Sequence, residues 1–265
     1  MIIKITGDMM LELYSKKDLI KRLEEIRKMG WIPNNRPGNV GGIGNTLEDL
    51  LGIKENNLPI PNAAEWELKC HRLNSSALVT LFHMEPSPRA VDFVSKVLLP
   101  LYGWKHPSLE NIMSFRQTIN ASSRTDRGFK IVIDRQSRKI VLSFDAKAVD
   151  KKHADWLKAV GQKVGLSEIN PQPYWGFDDL FHQAGTKLLN CFYIRADVKR
   201  EGQKEYYWYK EIMILQTFDL DKFLDGLEKG FIFIDFDART NHNHGTKFRI
   251  RSKNFQNLYK EITII

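Results

Sequence analysis

A change of hydrophobic period along the chain limits the fold more than any other feature. Segments with an apolar residue at every third or fourth position are interspersed with segments that alternate apolar and polar residues. The first spacing lines one face of a helix, the second one face of a strand. Leu19, Leu23, Ile26 and Met29 recur at helical spacing behind Ser15, a hydroxyl that can cap a helix, and ahead of Gly30, which can end one. Residues 129–134 and 139–144 alternate on either side of a turn at 135–138 and predict a hairpin. Strands are also expected at 65–71, 77–83, 191–196, 231–237 and 247–251, and 206–215 reads as strand or helix. Helices are expected at 46–51, 90–101, 150–165, 177–189 and 219–230, with 31–44 as a loop. There is no internal repeat and no steady strand–helix–strand alternation, so the pattern predicts an α+β fold with a mixed sheet in two lobes.

Composition narrows the functional classes. With 265 residues, 42% hydrophobic and 11% aromatic, the chain is neither disordered nor collagen-like and can bury a large core. Cys70 and Cys191 cannot build a disulfide scaffold, which points to a reducing cytoplasm. Met1-Ile2-Ile3-Lys4-Ile5 is soon followed by Asp8, and no long apolar run exists, so neither a signal peptide nor a membrane span is expected. Lys and Arg number 40 against 32 Asp and Glu, a net charge of 40 − 32 = +8. A polyanionic partner fits that balance, although a slightly basic enzyme would also show it. The cations are interleaved with aromatic, amide and hydroxyl residues, which suits a folded groove better than a basic tail.

Three segments can carry chemistry. Gly38-Asn39-Val40-Gly41-Gly42-Ile43-Gly44-Asn45-Thr46 is glycine-rich, but Asn45 stands where a phosphate loop needs lysine and the dinucleotide-binding spacing fails, so it reads as the entry to a helix. In Pro61-Asn62-Ala63-Ala64-Glu65-Trp66-Glu67-Leu68-Lys69, a strand would project Glu67 and Lys69 from one face and Leu68 into the core. A carboxylate, an ammonium and a further acid can hold a divalent cation and a water beside a phosphate, with the Leu68 carbonyl as another ligand. Glu-x-Lys alone is weak, since an exposed ion pair gives the same spacing. The third segment runs from Arg239 to Arg251. Arginine suits guanine, histidine can donate or accept at a base edge, and Lys247 or Arg251 can hold phosphates. A polar loop before a solvated strand is the plainer reading, and the Cys and His spacing matches no common zinc module.

At this point the sequence resembles the MvaI/BcnI family of Type II restriction endonucleases, of the PD-(D/E)xK nuclease class and related to the mismatch-repair nicking endonuclease. Gly44-Asn45-Thr46-Leu47-Glu48-Asp49-Leu50-Leu51 with Glu55-Asn56-Asn57 is similar to the family's first acidic helix, Glu65–Lys69 to its catalytic strand, and Leu78–His83 to the next strand. Tyr206-Tyr207-Trp208-Tyr209 and Asn243-His244-Gly245-Thr246-Lys247-Phe248-Arg249-Ile250 match in the C-terminal half. The resemblance implies a two-lobed restriction-endonuclease-like fold with a mixed central sheet flanked by helices. It divides the chain into a mainly catalytic part, 1–115, and a mainly DNA-recognition part, 116–265, closely packed with DNA between them. It puts Glu48, Asn62, Glu67 and Lys69 in the active site and makes Asn62, Glu67 and Leu68 the metal ligands, with Mg²⁺ as cofactor and Mn²⁺ as substitute. It makes His83, Arg239, His242, His244, Lys247, Arg249 and Arg251 candidate DNA contacts, His83 and His244 at the central base pair. Segment 116–124 is itself polar and basic, so Arg116 and Arg124 are further candidates for phosphates or a groove, and a plain loop is the equal alternative there.

One residue departs from the family pattern: Asn62 replaces an aspartate. An amide offers a neutral oxygen and no charge, so metal affinity and cleavage should suffer. The resulting expectation is a Mg²⁺-dependent endonuclease cutting double-stranded DNA at a short CC-x-GG-like site. It would act as a monomer on one strand at a time, in the cytoplasm, paired with a DNA methyltransferase. A mismatch-repair-type nicking enzyme and a catalytically inactive DNA-binding protein are the alternatives.

Overall fold

The computed structural model describes residues 15–39, 41–53 and 65–265. These fold into two compact units, each assembled from separated stretches of chain. One unit holds residues 1–77, 184–218 and 259–265, and the other holds 78–183 and 219–258. A single boundary at 115/116 is therefore not the division the chain makes. The sequence reading split the chain by position, whereas long-range strand pairing returns its later parts to the first unit.

The first unit begins with α1 (Lys16–Lys28), where the Ser15 and Asp18 side chains form a reciprocal capping box. Its Leu19, Leu23 and Ile26 are buried as their spacing predicts. After β1 (Ile32–Pro33) comes α2 (Gly42–Leu51), which closes on Gly52 in the left-handed region. The sheet runs β1–β10–β9–β2, from β2 (Glu67–Arg72), β9 (Asn190–Glu201) and β10 (Lys204–Phe218), and β13 (Tyr259–Ile264) also pairs with β10. β2 lies parallel to β9, with Glu67 opposite Cys191 and Lys69 opposite Tyr193, while the other pairs are antiparallel. This is the mixed sheet. Leu47 and Leu51 of α2 pack with Leu68, Phe192, Ile194 and Tyr209 in one core, and Cys70 lies against it.

The second unit has two antiparallel sheets. One runs β3 (Leu78–His83), β12 (His242–Arg251), β11 (Ile232–Arg239), β5 (Met113–Ile119) and β4 (Trp104–Lys105). The other is the expected hairpin, β6 (Arg127–Asp134) and β7 (Lys139–Val149), joined by β8 (Tyr174–Gly176). The helices are α3 (Leu99–Tyr102), α4 (Ala154–Val164) and α6 (Leu220–Glu228), and the boundary between units falls within α5 (Phe177–Leu188). Aromatic rings fill the interior, with Phe82 stacked on Phe248 at 4.9 Å and Phe115 edge-on to Phe129 at 5.5 Å. The helix expected over 90–101 is instead a 3₁₀ turn, a π-helical turn and the short α3, with Pro100 unable to donate to a preceding carbonyl. No helix among the described residues is long and apolar enough to cross a membrane.

Candidate active site and polar sheet face

Glu67 opens β2 and is 1% exposed. Its Oε1 accepts from Lys69 Nζ at 2.7 Å, so the two side chains share a strand face as their spacing requires. A second ammonium, Lys187 from the last turn of α5, stands 3.7 Å from the same oxygen. Both lysines are largely sheltered, at 17% and 19% exposure. Glu67 Oε2 has no hydrogen-bond partner among the described residues. An unsatisfied buried carboxylate oxygen costs roughly 1–3 kcal/mol or more. A hard divalent cation, which takes oxygen ligands, would satisfy it. Leu68 points the other way, into the core. Glu48 is half-buried on α2. Burial is the main force holding the Cys70 thiol far above its ordinary pKa, and the charge of Glu48 adds to it, which places Glu48 within electrostatic range of the strand. That thiol is no nucleophile. Asn62 and Pro61, like residues 55–57, lie outside the described residues. Among the described residues no three of His, Cys, Asp and Glu gather into a metal-binding cluster.

The second unit presents an ordered polar face. In β11, β12 and β5 alternate residues point inward, leaving Asp235, Asp237, Lys247, Arg249, Arg116 and Thr118 on the outer side. The register sets Asp237 opposite Arg116 and Asp235 opposite Thr118. Arg116 Nε donates to Asp237 Oδ1 at 2.7 Å and Thr118 Oγ1 to Asp235 Oδ1 at 2.8 Å. From the other flank, Lys247 Nζ reaches Asp237 Oδ2 at 3.2 Å and Arg249 Nη1 reaches Asp235 Oδ2 at 3.0 Å. Cross-strand pairs of opposite charge thus bridge three strands. Burial alone would raise the Asp237 pKa, but the hydrogen bond from Lys247 and the charges of Lys247, Arg116 and His244 hold it below its ordinary value. These residues line an open depression of about 470 Å³ with Trp104 and His106. Two buried donors of its lining residues, Gln117 Nε2 and Arg249 Nε, have no partner among the described residues.

The histidines adjoin this face. His242 and His244 stand edge-to-face with ring centroids 4.0 Å apart, at the exposed start of β12. His83 lies opposite Lys247, and a Cβ on Gly245 would stand 3.4 Å from its Cδ2. Gly245, at φ +79°, therefore lets the His244 turn close on His83.

The sequence profile of the MvaI/BcnI restriction endonuclease family matches residues 20–259. The chain belongs to the MvaI/BcnI restriction endonuclease family. Among solved structures it is similar to the restriction endonuclease MvaI in complex with cognate DNA substrate, with 28% identity and a TM-score of 0.76 over 95% of this chain and 99% of that one. It is also similar to MvaI in the absence of DNA, with 27% identity and a TM-score of 0.55 over 96% and 100% of the chains. A comparison with curated proteins finds no match.

Within this family member the structure brings Glu67 and Lys69 together, and separately Arg116, Lys247 and Arg249, with His83 and His244 close by. Arg251 lies at the far end of the same face, over the Phe233 ring at 5.2 Å. Arg239 ends β11 opposite His242. Arg124 does not join the group. Its guanidinium donates to the Gly128 carbonyl at 2.8 Å and to Ser143 Oγ at 3.2 Å, tying a loop to the β6–β7 hairpin. The glycine-rich segment also has a packing role, since a Cβ on Gly42 would meet Asn34 and the Tyr207 hydroxyl at 3.0 Å. Sequence reasoning missed Lys187, Asp235 and Asp237. The aspartates could have been found by their alternation with apolar residues in β11, whereas Lys187 becomes visible only once β2 is known to pair with β9.

Proposed function

We propose that this chain is a Mg²⁺-dependent, site-specific endonuclease of double-stranded DNA, with Mn²⁺ as a working substitute. The observation that carries the reading is Glu67: a buried carboxylate bound to Lys69 through one oxygen, with the other oxygen unsatisfied, in a restriction endonuclease family. Glu67, the residue at 62 and the Leu68 carbonyl would hold the cation, with Glu48 supporting a further acidic position. When bound, the cation neutralises phosphate charge and lowers the pKa of a water. Lys69 orients the attacking water and balances charge developing on the phosphate. The water oxygen bonds to phosphorus, the bond from phosphorus to the 3′ oxygen breaks, the water loses a proton to solvent and the 3′ oxygen gains one. The products are a 5′-phosphate and a 3′-hydroxyl.

The polar face of the second unit reads the target, a short CC-x-GG-like site. Arg116, Lys247 and Arg249 present donors suited to guanine, and Arg239, His242 and Arg251 extend the contact. His83 and His244 act at the central pair. The protein works in the cytoplasm as a monomer with one active site, nicks the strands in turn, and is paired with a methyltransferase that protects the host. Digestion of a sequenced plasmid with Mg²⁺, by the chain as it stands and by Asn62→Asp, tests this. Linear product with ends mapping to one short site supports it. Open circles alone favour the nicking enzyme.

A second reading rests on Asn62 itself, which removes a metal-binding charge and fits a DNA-binding protein without catalysis. Tight site-specific binding with no cutting by either form favours that reading.

A further inference from the structure

We propose that Glu85 is a positioning residue for base readout, its carboxylate holding the β-bulge that turns His244 outward. The inference rests on the role given above to His244 at the central base pair. In β12 the side chains of Phe248 and Thr246 are buried, at 0% and 1% exposure. Strand alternation would bury residue 244 next. His244 is exposed instead. The pairing with β11 gives the reason. Phe236 lies opposite Thr246 and Ala238 opposite Asn243, so the single residue Asp237 faces both His244 and Gly245. An extra residue of this kind bends the strand and re-aims a side chain. Gly245, at φ +79°, supplies the left-handed backbone there. The re-aimed His244 stands edge-to-face with His242 and within electrostatic range of Asp237 on the polar face.

A bulge interrupts the ladder, so side chains must supply some of its hydrogen bonds. β3 ends at His83. Just past it the Met84 N–H donates to the Thr246 carbonyl at 2.9 Å, while the Thr246 N–H donates to Glu85 Oε1 at 3.0 Å. Thr246 Oγ1 donates to Glu85 Oε2 at 2.7 Å, and Asn243 Nδ2 to Glu85 Oε1 at 3.4 Å. Asn243 Oδ1 in turn accepts from the Gly245 N–H at 2.9 Å. Glu85 thus grips the bulge on both sides, at residue 243 before it and residue 246 after it. Without the carboxylate the Thr246 N–H and hydroxyl lose this acceptor, and the one-residue offset can relax. A slip of one residue exchanges the two faces of a strand, which would take His244 away from a base.

The test uses the full chain and two duplex oligonucleotides that differ only in an A·T or G·C pair at the centre of a CC-x-GG site. Binding of each is measured in EDTA, and the ratio of the two dissociation constants is read. Glu85→Ala and His244→Ala are each expected to narrow the parental ratio about tenfold, the scale of one lost base contact. Glu85→Ala added to His244→Ala is expected to change the ratio no further, since the first residue acts through the second. Glu85→Gln keeps the shape, and its amide can accept from the Thr246 N–H and donate to the Thr246 hydroxyl, so it is expected to keep the parental ratio. Equal weakening on both duplexes with the ratio unchanged makes Glu85 a support of β12 only and overturns the proposal. So does a double variant whose two losses add. Loss of the ratio in Glu85→Gln as complete as in Glu85→Ala also overturns it, because charge rather than bulge geometry would then be at work. If the parent binds the two duplexes equally, or binds neither, the central-pair reading itself fails and Glu85 loses its proposed role with it.

Discussion

Glu67 combines near-complete burial with one committed and one unsatisfied carboxylate oxygen. In the proposed reading Lys69 orients the attacking water, so its removal should affect the chemistry more than the binding. Lys69→Met is expected to slow cleavage by about 10²–10³-fold while duplex affinity stays close to the parent, read by single-turnover kinetics beside a binding titration. Beside the polar face, His83 stands against Gly245, the residue after His244. His83→Ala should narrow the difference in cutting rate between sites that vary only at the central pair, and an unchanged difference would remove His83 from the readout. Glu67 and Lys69 were legible because two residues apart on a strand is a fixed geometry. Lys187 was not, because its approach depends on which strand β2 chooses as a parallel neighbour.

At the scale of elements, α1 was legible from Leu19, Leu23 and Ile26, whose spacing survives intact as a buried stripe. β5 was not, because Arg116, Gln117 and Thr118 interrupt its apolar residues and a two-sided pattern emerges only when Phe115 and Ile119 are packed and Arg116 faces outward. β12 proved longer than its apolar run, since His242 and Asn243 are held in the strand by pairing with Arg239 and Ala238 rather than by propensity. Two predictions belong here. Gly42→Ala should lower stability by about 1–3 kcal/mol in denaturant titration, because the new methyl meets Asn34 and Tyr207 in a packed site. Asp126, just ahead of β6, accepts from His153 Nε2 at 2.8 Å and Lys152 Nζ at 2.9 Å. Burial would raise its pKa, yet these two partners lower it from 3.8 to about 2. A depressed carboxylate pKa adds stability above the unfolded value and loses it as pH falls through the folded one. Its contribution is therefore present above pH 4 and disappears between about pH 4 and 2, softened by the partial exposure of the side chain. Asp126→Asn should flatten that part of the melting-temperature profile.

For the molecule as a whole, the chain weaves two units from discontinuous stretches, with the Glu67 cluster in one and the polar face in the other. The net charge of +8 suggested a polyanion, but the structure distributes it less simply than the sequence implied. On the polar face the cations are already paired with Asp235 and Asp237, so the face is not a bare basic patch and its specificity comes from fixed geometry. The central claim is that the Glu67 cluster is the single cutting centre and that residue 62 limits it. The most direct measurement compares Mg²⁺-dependent linearisation of a supercoiled plasmid by the chain as it stands, by Asn62→Asp, and by Asn62→Asp with Glu67→Gln. The account predicts weak or no cutting by the first, linear product from the second, and loss of cutting in the third. Equal rates in the first two would contradict the role given to residue 62. Cutting that survives Glu67→Gln would contradict the assignment of the active site.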